Sequence, residues 1–515
     1  DQITLNFNWV DHSLSFSSCR VTLPESDFDF NFSLEKDGSL RGSLEGKANL
    51  SSFQEILKNY GRFEGRVGLA AIFSGKVDKP ALQTSFWALD FRFNEIYFDE
   101  ISGSLKYEND NLSILQPIKF LRVPDLYFLS GNAAFYPQTD TNLKLTIANS
   151  QLSSSYQLFW QIYGILNRFF VPLAKSKNIK LNLSEIPVFN WQVFKRDHLV
   201  NLYSANGEKE YFLKTWLETK SEFEKALAIS PEEKIGGILL GTVEVKGKTD
   251  NLSGIFSLRV TNGYYGDFYF DELQAEGTLN HREIKIEKAL LFKKEGTLSA
   301  QGSYKFSGNI AFYLVANNLP LETLKLIFPN EEFSGYFSMN ADLNGPLSNL
   351  SIVCAIGAED ISISGINFNK LAFSFTKKEN YLFIHEFSLL EQNQLSRIFG
   401  SIPLQPQGKF DLEVDLKDNA VGLLNLWLNE VKWREGKTTI AAKITGSPEN
   451  LNAHGKIQVS QGKIYLKGLD SELQNLEGKA ELKGNLLNIN YLTAIWQGKT
   501  TRHYQNRLGL AGTID

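Results

Sequence analysis

Two adjacent carboxylate pairs, Asp99–Glu100 and Asp271–Glu272, are the first residues in this chain whose types and spacing could do chemistry. Paired carboxylates serve as general acid and base when their environments hold one protonated and the other ionised. Here the pair recurs at one repeat position, beside a turn where solvated acids are ordinary. The six histidines (His12, His198, His281, His385, His454, His503) lie far apart, with no second ligand at helical or hairpin spacing. They read as surface or half-buried strand residues rather than metal ligands. Cys19 and Cys354 fall in different repeats with no CxxC or Cys/His spacing, and read as two free core thiols. A GxSxG elbow, a P-loop and a Rossmann fingerprint are all absent. The sequence therefore predicts no catalytic residue, no metal site and no cofactor: this is not an enzyme.

What repeats instead is a surface. Four glycine pairs, Gly65/Gly75, Gly237/Gly247, Gly335/Gly345 and Gly436/Gly446, share one ten-residue spacing. Each encloses an alternating strand. Steps of two pick out Val67, Leu69, Ala71 and Phe73, then Leu239, Gly241, Val243 and Val245. In the other two pairs they pick out Phe337, Met339, Ala341 and Leu343, then Thr438, Ile440, Ala442 and Ile444. The intervening positions carry Arg66, Ser74, Glu244, Lys246, Asn340, Asp342, Lys443 and Thr445. A strand alternates faces with period two, so each is apolar on one side and polar on the other. The apolar set is expected to line one shared channel.

The repeat continues past the glycines. Phe98-Asp-Glu, Phe270-Asp-Glu and Phe368-Asn-Lys precede Ile101, Leu273 and Leu371, each at the same distance from its glycine. After Gly446 the equivalent is read as Leu476, four residues later, with a lengthened turn at Gly462 or Gly468. Short helices are expected at Ser52–Tyr60, Leu321–Phe328 and Val421–Val431, with Glu222–Ile229 a weaker fourth. The five Asn-Leu-Ser triplets (Asn49, Asn111, Asn182, Asn251, Asn349) read as turn residues entering strands. The expected division is 1–60 (a partial repeat ending in a short helix), 61–150, 151–235 (an insertion), 236–334, 335–435 and 436–515. A period near 100 residues argues for an elongated array in which units stack on neighbours.

Composition agrees with a mainly β fold: 38 Phe and 19 Tyr against one Met and 14 Pro. A net charge of −5 with Lys and Glu intermixed excludes a nucleic-acid groove. No run of eighteen apolar residues occurs. The chain starts in mid-alternation (ITLNFNWV) and stops the same way (LGLAGTID), as an excerpt of a larger protein would.

The insertion has its own character. In Tyr156–Phe170, Phe159, Tyr163, Leu166 and Phe170 follow helical spacing and Trp160 widens the stripe. A second helix is expected at Glu208–Ile229, with Phe212, Trp216, Phe223 and Leu227 on its apolar face. The plain reading is a helical hairpin packed on the sheet. The functional one is a lid or side gate over a groove, or a membrane- or partner-facing element.

Helix, glycine-pair strand and alternating strands ending in F-x-x-L together resemble the repeat of the TamB/AsmA-like superfamily. Phe333–Leu350 and Gly436–Gly462 are its most similar segments. The resemblance implies bridge-like lipid transfer proteins: antiparallel-type strands curled into a U-shaped apolar groove (a β-taco), with short helices between repeats. It also implies a periplasmic location and an inner-membrane anchor outside this chain. The implied function is non-enzymatic movement of phospholipid, by its acyl chains, between inner and outer membranes. A partner of the Omp85-type outer-membrane barrel class comes with it. The rival reading is a structural or adhesive secreted β-solenoid. That would show a closed core and repeats of about 20–30 residues.

Overall fold

A computed structural model describes residues 2–57, 61–94, 96–134, 140–159, 161–162, 235–248, 251–266, 268–280, 282–326, 332–363, 365–405, 407–426, 431–447, 450–466, 471–497 and 506–514. Among the described residues, 28 strands belong to one antiparallel sheet. The chain divides into two compact units, Asp1–Ala289 and Leu290–Asp515, so the division falls inside the 236–334 repeat. Among the described residues neither unit pairs its first strand with its last.

Hairpins follow from turn residues. Asn109 and Asp110, both at positive φ (51° and 58°), join Ile96–Glu108 to Asn111–Arg122. Asn and Asp tolerate the left-handed region that such two-residue turns require. Among the Asn-Leu-Ser triplets, Asn111 and Asn251 open strands. Asn49 caps a 3₁₀ turn with its side chain and Asn349 ends another, while Asn182 lies outside the described residues.

The ten-residue glycine spacing measures the distance from a bulge to a hairpin. All eight glycines have positive φ, between 94° and 139°. At the first of each pair the register breaks in the same way. Ser334 pairs Ser362 while Tyr336 pairs Glu359, leaving Gly335 opposite Asp360 and Ile361. The breaks at Gly65, Gly237 and Gly436 are identical in form. The partner strand carries one residue more, which bends it and re-aims side chains. The second glycine lies where a Cβ would meet the carbonyl across the hairpin. For Gly446 the clash would be with the Asn450 carbonyl oxygen at 2.2 Å.

One sequence expectation needs correction, the position read as equivalent to Ile101 in the fourth repeat, whereas short connecting helices stand where three were expected, mainly in 3₁₀ form: Leu50–Phe53 (followed by one α turn, Gln54–Leu57), Leu321–Leu326 and Asp418–Leu426. The Glu222–Ile229 segment lies outside the described residues. Leu476 pairs Gly462, which is the register of Phe98 opposite Phe91 and Phe368 opposite Ile361. The residue equivalent to Ile101, Leu273 and Leu371 is therefore Gly478, opposite Val459. The extra residues of the fourth repeat lie between Gly462 and Leu476, at the hairpin end of strands Asn450–Leu466 and Ser471–Gly484, with Gly468 outside the described residues.

Candidate functional site

In the first unit, cross-strand pairing strings apolar residues from different repeats into rows. Ala48, Val67, Ala88, Ile101, Phe120, Tyr127 and Ile147 lie opposite one another on seven successive strands. The next row runs Leu129, Leu145, Val243 and Phe256, with Leu143 opposite Val245 beside it. Leu69 and Phe73 face Phe86 and Leu82, and Ala71 faces Leu44. Leu239 faces Val260 in a cluster with Ile96, Phe98, Tyr127 and Ile147. Directly opposed antiparallel residues share a face, so these residues of the two glycine-pair strands lie on one side of the unit's sheet.

The second unit repeats the pattern. Ala316, Met339, Ile356, Phe373, Phe387, Ile398, Val414 and Ala442 form one row across eight strands. Phe337 pairs Ala358, Ala341 pairs Cys354 and Leu343 pairs Ile352. Ile440 pairs Leu416 and Ile444 pairs Leu412. Ser338, Asn340 and Asp342, between them, are exposed on the other side. Leu321, Leu324, Ala420 and Val421 of the 3₁₀ connectors pack beside Phe333, Ile361, Phe368 and Trp433.

Burial across these faces is incomplete in a regular way. The small Ala71, Ala341 and Ala442 are buried, as are Leu239 and Phe337. The larger Val67, Leu69, Phe73, Val243, Val245, Met339, Leu343, Ile440 and Ile444 are only half-buried. A sealed core would bury the bulky side chains first. The bulge delivers Ile361 to full burial, 1% exposed, beside the connectors. Cys354 is a buried thiol on this face, its pKa pushed up by desolvation, and Cys19 is buried and free as well. Lys377 joins the same face opposite Ile352 and reaches Asn349 Oδ1 at 3.1 Å; burial lowers its pKa.

The insertion begins as a helix over 152–159 and 161–162. Its root is a hydroxyl triangle: the Tyr127 hydroxyl lies 2.6 Å from Ser150 Oγ and 3.0 Å from Ser155 Oγ, and the two serines are 2.7 Å apart. Asp125, 1% exposed, accepts the Gln151 N–H at 2.8 Å. Leu152 and Leu158 pack into the apolar cluster. Phe159, named among the possible lid residues, is 59% exposed. The helix turns Leu158 inward instead, one residue being 100° of rotation. Trp160, Tyr163, Leu166, Phe170 and the Glu208–Ile229 segment lie outside the described residues.

No family model, curated protein or solved structure matches this chain.

The carboxylate pairs tie strands together. Glu100 binds Lys119 Nζ at 2.7 Å and the Ser102 hydroxyl, which lower its pKa. Asp99 accepts the Tyr97 hydroxyl and the Val123 N–H, and Glu272 pairs Arg259 at 2.7 Å. No group of three or more His, Cys, Asp or Glu among the described residues could hold a metal. A polar cleft of about 550 Å³ in the second unit is lined by Asp360, Asn369, Glu391, Asn419 and Arg434. Glu391 is occupied by the Asn419 backbone and side-chain N–H groups, and Asn369 by the Gln392 N–H. Sequence reasoning missed the connector contacts and Leu158. The signal for the former was present in LETLKL, whose Leu321 and Leu324 stand three apart.

Proposed function

We propose that the apolar face of each unit carries phospholipid acyl chains, as part of non-enzymatic lipid transport between inner and outer membranes. The observation that carries the reading is the row structure. Apolar residues follow one another strand after strand on a single face, and many of the large ones, among them Leu69, Phe73, Met339 and Ile440, stay half-exposed although others such as Leu239 and Phe337 are buried. Burying a methylene is worth about 0.8 kcal/mol, so two sixteen-carbon chains cost on the order of 20 kcal/mol to hold in water. A carrier must cover them along the whole route. A uniform apolar surface does so without a specific site, and chains slide on it with small barriers.

The curled, U-shaped trough, the periplasmic setting, an inner-membrane anchor outside this chain, kinship with the TamB/AsmA-like superfamily and an Omp85-type partner belong to the same proposal. Sliding on such a face needs no catalytic group, metal or cofactor. Phospholipid that co-purifies with the protein, extracted and identified by mass spectrometry, tests the reading. Protein free of lipid after extraction from cells would contradict it.

A further inference from the structure

We propose that the polar face of the first unit carries a saccharide-binding platform centred on Trp87. This face is opposite to the one assigned to acyl chains, so the inference does not rest on that reading.

Trp87 lies between Phe86 and Ala88, which belong to the apolar face. Alternation therefore sends its indole to the polar side, opposite Gly68 on one neighbouring strand and Ser102 on the other. Gly68 makes room for it. A Cβ there would fall 2.3 Å from Trp87 Cε2 and 2.5 Å from Cζ2 and Nε1. The ring thus lies flat on the Gly68 backbone, which it buries, while the side chain stays 40% exposed. One indole face is against the sheet and the other is open.

The surroundings form a depression of about 700 Å³, in the size range of small-ligand sites. Its floor is small: Ala70, Ser85 and Ser102 follow the strands beside the indole. Asp29, Glu45 and Lys47 stand on one side and Gln116 on the other. An open aromatic plane ringed by carboxylates, hydroxyls and an amide suits a pyranose. The sugar's axial C–H groups stack on the ring, and its equatorial hydroxyls find donors and acceptors at the rim. Asp27 and Asp29 are paired with Arg20, and Glu45 stands beside Lys47, so the rim has no excess of cations for a phosphate-bearing nucleotide, and its polarity disfavours an acyl chain.

Isothermal titration of the whole chain with neutral hexamers of glucose and of N-acetylglucosamine tests the platform. Saturable binding of at least one hexamer is expected. Trp87→Ala should weaken it by about tenfold or more and Trp87→Phe by less. Glu45→Gln should weaken it a few-fold, and Trp9→Ala, at another exposed tryptophan, should leave it unchanged. Gly68→Ala lifts the indole off the backbone without removing it, and should also weaken binding. Circular dichroism confirms that each variant is folded. Absence of binding to every hexamer by the native chain overturns the proposal. So does binding that folded Trp87→Ala retains, or preferential binding of a nucleotide or an aromatic peptide.

Discussion

Gly335, at φ 104°, stands opposite Asp360, at φ 49°, across one strand pair, and the relation recurs as Gly65–Asp90, Gly237–Asn262 and Gly436–Gln461. This double left-handed step bends every repeat at one place. It also sends the residue after the left-handed one, Ile361 or Phe91, toward the apolar cluster. A side chain at Gly335 would meet Ile361 Cγ2 at 3.0 Å and the Asp360 carbonyl oxygen at 3.1 Å. Gly335→Ala should destabilise the second unit by about 1–3 kcal/mol in urea unfolding. Gly357, in the neighbouring strand with nothing within 4 Å of an added Cβ, is the control. Gly357→Ala should be neutral or stabilising by up to about 1 kcal/mol.

Charge separates the half-exposed part of the apolar face from its sealed part. Met339→Asp should fold, because water reaches the position, yet it should lower the lipid bound per protein. Ile361→Asp, at 1% exposure, should cost several kcal/mol and unfold the unit. Circular dichroism with lipid quantification reads both. Unfolding of Met339→Asp would make the whole face core.

Glu244 lies between Lys144, at 2.8 Å, and Lys246, at 3.0 Å, and these two hydrogen-bonded cations hold its pKa at about 2 against an ordinary 4.5. A carboxylate with a depressed folded pKa stabilises fully above its unfolded value. That contribution is lost as pH falls from about 4.5 through about 2. Lys144 and Glu244 join strands on either side of the insertion. Glu244→Gln should therefore flatten the acid limb of the stability curve and leave its neutral part lower. An acid limb of unchanged slope would contradict the assignment.

At the insertion, Leu158→Ala should cost about 2–3 kcal/mol of first-unit stability if the helix is docked as described. Phe159→Ala, at an exposed position, should cost far less in the same unfolding experiment.

Much of the fold was legible because alternation and glycine spacing are local signals. Val67 to Phe73 and Phe337 to Leu343 announce their faces in single strands. Bulge register was less so: Leu476 looked equivalent to Ile101 until pairing with Gly462 set it beside Phe98 and Phe368. Helical type was not legible, because LETLKL and VGLLNL carry apolar spacing that both 3₁₀ and α turns satisfy over so few residues. Leu158 and Phe159 are adjacent in a stretch rich in apolar side chains, so spacing alone does not choose which goes inward. Trp87 on Gly68 is invisible in sequence, since nineteen positions separate residues that only strand pairing brings together.

The central claim is that lipid contacts one face and not the other. A photoreactive residue placed singly at Val67, Val243, Met339 or Ile440, and at the opposite-face neighbours Arg66, Glu244, Asn340 or Lys443, tests it in cells. Phospholipid adducts should form from the first set and be absent from the second. Adducts from both sets alike, or from neither in folded protein, would contradict the account.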